Sequence, residues 1–151
     1  MSAASDTRTP SNEERAAILV RGIEASLRGD SELVAELFTN DVHGYSPAAS
    51  VASAAELAVE FEDRDDAFSE IELDVRPLDV GDQQACAEWL VTVTHSGPLT
   101  VDDETVLAAT GRRLTFQGAT IAEFEGAKIR AFRQYWDEVS ILEQLDLLPE
   151  A

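Results

Sequence analysis

A carboxylate near the end of the chain is the strongest candidate for chemistry. Asp137 follows two aromatic residues, Tyr135 and Trp136, at the end of a segment with strand-like alternation. Apolar surroundings disfavour the charged form of a carboxyl group and shift its pKa towards neutrality, where proton transfer is efficient. The pattern therefore predicts that Asp137 is a general acid or base. A structural alternative is that Asp137 caps a helix over residues 139–145.

His95 is the second catalytic candidate. It ends a predicted strand expected to lie beside the strand of Asp137, where an imidazole could polarise a carbonyl group or relay a proton. A lone histidine in a strand is more often a hydrogen-bonded structural residue, so both interpretations stay open. The candidates for substrate contact are an imidazole, two phenols and several large rings that could equally be core: His43, Tyr45, Trp89, Phe116, Phe124, Tyr135 and Trp136.

The charge of the chain excludes several classes of function. Its 151 residues include 30 acidic and 11 basic ones, which gives a net charge of -19. Binding to nucleic acid or to an acidic membrane surface needs clustered lysine and arginine, which this composition does not supply. Self-repulsion of this size is screened in concentrated salt, so we expect a halophilic protein. With no membrane-length apolar run and no visible signal peptide, the expected location is the cytoplasm.

No metal or cofactor motif is recognisable in the sequence. Two distant histidines and a single cysteine, Cys86, do not form a zinc pattern. The acidic run at 60–66 lacks the glycine and the final glutamate of an EF-hand loop. No glycine-rich phosphate loop or nucleophile elbow is present. We therefore expect side-chain acid–base chemistry without a cofactor or a metal ion.

Hydrophobic periodicity places helices first and most strands last. Helical spacing and a capping box predict helices at 12–28, 32–38 and 53–61. Alternation predicts strands at 42–45, 71–76, 85–94, 119–124 and 129–137, the last two forming a hairpin. Between them, residues 96–109 are predicted to be a long mobile loop that carries three consecutive acids. This order predicts one α+β domain over residues 12–151, after a flexible tail of eleven residues.

Short segments spread over the chain after Ser11 match motifs of one family. They are the segments 67–71, 80–82, 94–98, 110–113, 116–118, 124–129, 136–137 and 144–146. In this order they resemble the SnoaL-like polyketide cyclases and ester cyclases of the nuclear-transport-factor-2-like superfamily. The resemblance implies a cone-shaped barrel, in which a curved, mostly antiparallel sheet wraps over three N-terminal helices and leaves an apolar cavity.

The resemblance also implies a reaction. Asp137 matches the family residue that removes a proton next to a carbonyl group, so that the enolate closes a ring by aldol addition. Two motif positions differ: Tyr45 stands where the family often has histidine, which His43 could replace, and Asp146 stands for the family's final glycine.

We therefore expect a cofactor-independent cyclase or isomerase that acts on a small apolar carbonyl compound. The alternatives are a non-catalytic ligand-binding or dimerisation module and, more weakly, an epoxide hydrolase. We also expect a homodimer through the convex face of the sheet, where Leu90, Leu114 and Ile121 would be available.

Overall fold

The computed structural model describes residues 9–64, 66–102 and 104–147, with the backbone alone at 101 and 102. The helices in these ranges are α1 (Asn12–Arg28), α2 (Val34–Leu37, after a 3-10 turn at Ser31–Leu33), α3 (Ala54–Arg64) and α4 (Glu138–Gln144). The strands are β1 (Phe38–Tyr45), β2 (Ser50–Val51), β3 (Phe68–Val80), β4 (Gln84–His95), β5 (Leu99–Asp102), β6 (Thr105–Leu107), β7 (Arg113–Glu125) and β8 (Lys128–Trp136).

Six of these strands form the main sheet, in the order β2-β1-β8-β7-β4-β3. Neighbouring strands are antiparallel except β1 and β8, which run parallel. The predicted α+β arrangement is confirmed, with one difference in shape: in the part of the chain that is described, the sheet stays open between its edges and does not close into a barrel.

Local signals set the helix boundaries. The α1 helix begins at a capping box in which Glu14 N donates to Ser11 Oγ and Ser11 N donates to Glu14 Oε1, and it ends at Gly29 with a left-handed φ of 71°. The predicted helix at 32–38 is shorter than expected, because Phe38 is already extended and starts β1. In contrast, α3 continues past the predicted end at Phe61 to Arg64.

Alternation along the long strands gives the sheet two different faces. On the inner face, which packs against the helices, β4 places Ala85, Ala87, Trp89, Val91, Val93 and His95. The outer face carries the residues between them, including Glu88 and Leu90, which are exposed. Leu114 was expected on the outer face, but it is fully buried on the inner one, because alternation along β7 puts it in phase with Phe116.

Residues 96–109 have more structure than the sequence predicts. The strands β5 and β6 pair with each other as a separate two-stranded sheet, so they do not extend the main sheet. The loop prediction was therefore wrong for these two short strands, although the segment does lie between β4 and β7. Asp103, the middle of the three predicted loop acids, lies outside the described residues, as does most of the predicted tail. In the described ranges, no helix has the length and hydropathy needed to cross a membrane.

Candidate active-site cavity

A two-compartment cavity lies between the helices and the inner face of the sheet. The first compartment measures about 40 Å³ and the second about 90 Å³. Four residues line both compartments: Ile23, Ser26, Arg64 and Gln134. Most of the remaining lining is apolar, and a few polar groups converge on it, which is the usual composition of a small-molecule site.

Aromatic rings form the wall of the second compartment. The centre of the Trp89 ring lies 5.9 Å from the centre of the Phe116 ring, in an edge-on arrangement, and 6.5 Å from the centre of the Trp136 ring. Gly118 makes room for this wall, because a Cβ atom there would lie 2.6 Å from the Trp89 ring and 2.3 Å from the carbonyl oxygen of Tyr135. The indole of Trp89 can therefore lie across β7 only where that strand has no side chain.

A buried hydroxyl group joins the polar side chains of the wall. Trp89 Nε1 donates to Thr120 Oγ1 over 3.0 Å, and Gln134 Nε2 donates to the same oxygen over 3.1 Å. Thr120 and Gln134 are both buried. Since Thr120 accepts two hydrogen bonds, its own O–H proton must point elsewhere. The network fixes the positions of the indole and the amide beside the cavity.

Glu60 lines the first compartment, and the carboxylate that lines the second compartment belongs to Glu138. It is the first residue of α4, it is half-buried, and its Oε2 accepts a hydrogen bond of 2.7 Å from Trp136 Nε1. Sequence reasoning missed Glu138. The available signal was helical spacing, because Glu138 lies three and seven residues before Ile141 and Leu145, which are buried.

A guanidinium group lies where the two compartments meet. Arg64 ends α3 and donates from Nε to the carbonyl oxygen of Ser26 over 2.9 Å, with a weaker contact of 3.4 Å from Nη2 to Ser26 Oγ. Its guanidinium carbon lies 5.8 Å from the centre of the Phe61 ring. Burial lowers the pKa of Arg64, while Glu60 and Asp63 act in the opposite direction. Arginine nevertheless stays protonated in proteins, so this group brings a positive charge to the cavity. No local pattern in the sequence singles out Arg64.

The structure separates the predicted substrate-contact residues into three groups. Trp89, Phe116 and Trp136 line the second compartment. Phe124 is buried in the core and is not among the residues that line the cavity. The remaining three lie on the outer face and are exposed: His43, Tyr45 and Tyr135. Two of these rings are neighbours, with 5.7 Å between the centres of Tyr45 and Tyr135.

Asp137 occupies the structural position that the sequence left open as an alternative. Its Oδ1 accepts a hydrogen bond of 3.0 Å from Ser140 N, so it caps α4. Its side chain is exposed and borders a shallow groove on the outer face, together with Leu90 and Tyr135. A catalytic role for Asp137 therefore stays a prediction, and it would act on the outer face.

His95 is buried and distant from Asp137. Its Nδ1 lies 2.9 Å from Thr110 Oγ1, and its Nε2 has no partner among the described residues. Burial lowers the pKa of His95, and the backbone of Gly97 opposes that shift. The expected pairing with Asp137 is not seen. Asp137 N donates a hydrogen bond to Gln117 O, and Gln117 pairs with Leu90 of β4. His95 lies five residues further along β4, which is a distance of roughly 17 Å from Leu90.

The described residues contain no group of three or more histidine, cysteine, aspartate or glutamate side chains that could hold a metal ion.

Three solved structures show how widely this architecture occurs. TsrD from Streptomyces laurentii superposes with a TM-score of 0.76 at 16% identity, over 92% of this chain and 99% of the other. AclR from Streptomyces galilaeus superposes with a TM-score of 0.73 at 23% identity, over 93% of this chain and 86% of the other. An LEH-like epoxide hydrolase from M. tuberculosis superposes with a TM-score of 0.67 at 13% identity, over 91% of this chain and 89% of the other. Identities this low establish a shared fold and leave the chemistry open.

The sequence comparison identifies the family. No curated protein matches this chain. The family profile of the SnoaL-like polyketide cyclases matches residues 17–145, which is most of its length. The chain belongs to the SnoaL-like polyketide cyclase family.

Proposed function

We propose that this protein binds a small apolar carbonyl compound in the inner cavity and acts on it by acid–base chemistry, as a cyclase or isomerase. Membership of the SnoaL-like polyketide cyclase family supports a small-molecule function of this type. The observation that carries the proposal is the position of Glu138, whose carboxylate lines an aromatic cavity and accepts a hydrogen bond from Trp136.

In the proposed reaction, Glu138 takes a proton from the carbon next to the substrate carbonyl. The electron pair of the broken C–H bond forms the enolate, whose oxygen can accept hydrogen bonds from the Thr120 hydroxyl and from the second amide proton of Gln134. The enolate carbon then attacks a second carbonyl carbon of the same molecule and closes a ring. The resulting alkoxide takes the proton back from Glu138, so the overall change is an isomerisation.

The test uses two neighbouring carboxylates on opposite faces. Ring closure of heptane-2,6-dione and exchange of its α-protons in D₂O can both be followed by NMR. Glu138→Gln keeps the shape but removes the base, so both rates should fall by roughly 10²–10⁴-fold. Asp137→Asn should keep the parent rates, because asparagine also caps helices well.

The reverse result would move the site. If Asp137→Asn loses activity and Glu138→Gln keeps it, the reaction takes place in the outer groove and the inner-cavity proposal is wrong.

The second candidate function is a non-catalytic ligand-binding module. The observation that favours it is the environment of Asp137, which matches the family's acid–base residue by motif but here caps α4 and faces solvent. This function predicts saturable binding of apolar carbonyl compounds with no α-proton exchange above the buffer rate in the parent protein.

For assembly, we propose a homodimer formed through the outer face. Leu90, Tyr45 and Tyr135 are 46%, 44% and 48% exposed there. The same face carries ion pairs, including Arg76 with Glu88, which neutralise part of its acidic charge. A two-fold interface requires such a self-complementary surface. Light scattering should give a dimer for the parent and a monomer for Leu90→Glu; a monomeric parent in both 0.1 M and 1 M salt would contradict the proposal.

A further inference from the structure

We infer that the ligand of the inner cavity carries a carboxylate group and that Arg64 binds it. The inference rests on the proposed function, because it names the substrate class for the same cavity: a small apolar oxo acid.

Arg64 has unused hydrogen-bonding capacity. A guanidinium group has five N–H donors in a planar fork. Ser26 accepts two hydrogen bonds from Arg64, one of 2.9 Å and one of 3.4 Å. Arg64 itself lines both compartments of the cavity. Donors therefore remain at the junction of the compartments, where a ligand can reach them.

Arg64 differs from the other described arginines of this acidic chain in its partners. Among the described residues, five of the other arginines form ion pairs with glutamates within 4.0 Å: Arg21, Arg76, Arg113, Arg130 and Arg133. Arg15 and Arg112 do not, but they donate to the carbonyl oxygens of Pro10 and Gln144. Among the described residues, Arg64 has no carboxylate partner at that distance, although Glu60 and Asp63 are close enough to raise its pKa. A half-buried cation without a paired anion is costly, and a carboxylate that accepts two parallel hydrogen bonds would offset that cost.

Charge is distributed unevenly along the cavity. Arg64 and Glu138 both line the second compartment, together with the aromatic side chains of Trp89 and Phe116. A negative ligand group is attracted by Arg64 and repelled by Glu138 at the far side of the second compartment and by Glu60 in the lining of the first. The favourable orientation therefore places that group at Arg64, on the side of the second compartment. In that orientation the apolar part packs on the aromatic wall, and the carbon that loses its proton faces Glu138.

The test compares two ligands of nearly equal shape, cyclohexanecarboxylate and cyclohexanecarboxamide. Trp89 and Trp136 are the only two tryptophans of the chain, and both line the inner cavity and also border the outer groove. Their fluorescence therefore reports binding, and the Arg64 variants assign that binding to the inner cavity. At 0.3 M KCl, where surface repulsion is screened, the parent should bind the carboxylate at least about tenfold more tightly than the amide.

Substitutions then assign the preference to Arg64. In Arg64→Gln, the Kd values of the two ligands should come within about twofold of each other, because the charge and the fork are gone. Arg64→Lys keeps the charge without the fork and should retain part of the preference. Arg21→Gln is the matched control: it changes the net charge equally in an exposed ion pair with Glu36, and it should keep the full preference.

Several outcomes would overturn the inference. They are equal binding of the two ligands by the parent, no binding of either ligand, and a preference that survives in Arg64→Gln. The parent comparison does not depend on whether any variant folds. Binding and turnover test Arg64 and Glu138 separately. If the parent prefers the carboxylate but Glu138→Gln keeps its turnover, only the proposed mechanism is wrong. If Glu138→Gln loses turnover but the parent shows no preference for the carboxylate, only the role of Arg64 is wrong.

Discussion

The inner and outer faces of the main sheet share the same strands but differ in how they use polar groups. On the inner face, polar side chains are buried, and Thr120, Trp89 and Gln134 are joined by hydrogen bonds. On the outer face, polar groups form exposed ion pairs such as Arg76 with Glu88. Exposed pairs contribute little to stability, whereas a buried donor that loses its acceptor is expensive. Similar residue types should therefore respond very differently to mutation on the two faces.

The end of β8 shows how finely this difference depends on position. Trp136 lines the inner cavity, Asp137 faces the outer groove, and Glu138 lines the cavity again. Strand alternation produces the first change of face, and the first turn of α4 returns the chain to the inner side. Two adjacent carboxylates consequently meet quite different surroundings, one exposed to water and one beside an indole.

The largest stability difference should appear between two threonines of the same strand. Thr120→Val removes the shared acceptor of Trp89 Nε1 and Gln134 Nε2, so the free energy of unfolding should fall by about 2–4 kcal/mol. Thr115→Val, on the outer face, breaks only an exposed contact with Thr92 and should stay within about 0.5 kcal/mol. Urea unfolding measures both; equal losses would mean that the two faces do not differ as described.

A smaller effect should come from pH. The pKa of His95 is lowered in the folded state by burial, so the unfolded chain takes up a proton that the folded one resists. Stability from this residue is present above the unfolded pKa of about 6.5, and it is lost as pH falls below that value, by up to about 1.4 kcal/mol per pH unit. The measurement is the free energy of unfolding between pH 7 and pH 5.

The control for this prediction is the second histidine. His95→Gln should flatten the pH dependence, whereas His43→Gln should preserve it, because the imidazole of His43 is exposed on the outer face. If both variants keep the parent slope, acidic groups elsewhere control stability in this range and the buried imidazole does not.

Salt should give the smallest effect per group, and it should act on the surface alone. The screening length falls from about 10 Å at 0.1 M to 3 Å at 1 M salt, so KCl should raise Tm by about 2–4 °C for each kcal/mol of repulsion removed. Binding of neutral cyclohexanecarboxamide in the inner cavity should not change over the same range. A flat Tm would argue against the expectation of a halophilic protein and would leave the fold unaffected.

The sequence predicted the parts of this molecule that depend on local patterns. Alternation and a glycine turn gave the β7–β8 hairpin, and capping residues gave the start of α1. The separation of His95 from Asp137 was not predictable in this way, because it depends on the register across β7. Arg64 was missed for a related reason: its contact with Ser26 joins residues far apart in sequence. The direction in which the Glu138 side chain points depends on the residue at which β8 ends and α4 begins. Local patterns locate such boundaries poorly.

The parallel pairing of β1 with β8 has a consequence for how the molecule is made. Without β8, the main sheet falls into two unconnected parts, β2–β1 and β3–β4–β7. Synthesis proceeds from the N-terminus at about 5–20 residues per second. The edges of β1 and β7 that pair with β8 therefore stay unpaired until residues 128–136 have emerged from the ribosome. The same strand supplies Gln134 and Trp136 to the cavity wall. A nascent chain should therefore be most open to aggregation just before β8 appears. When β8 pairs, the chain should acquire its continuous sheet and the Gln134 and Trp136 part of its ligand site in a single step.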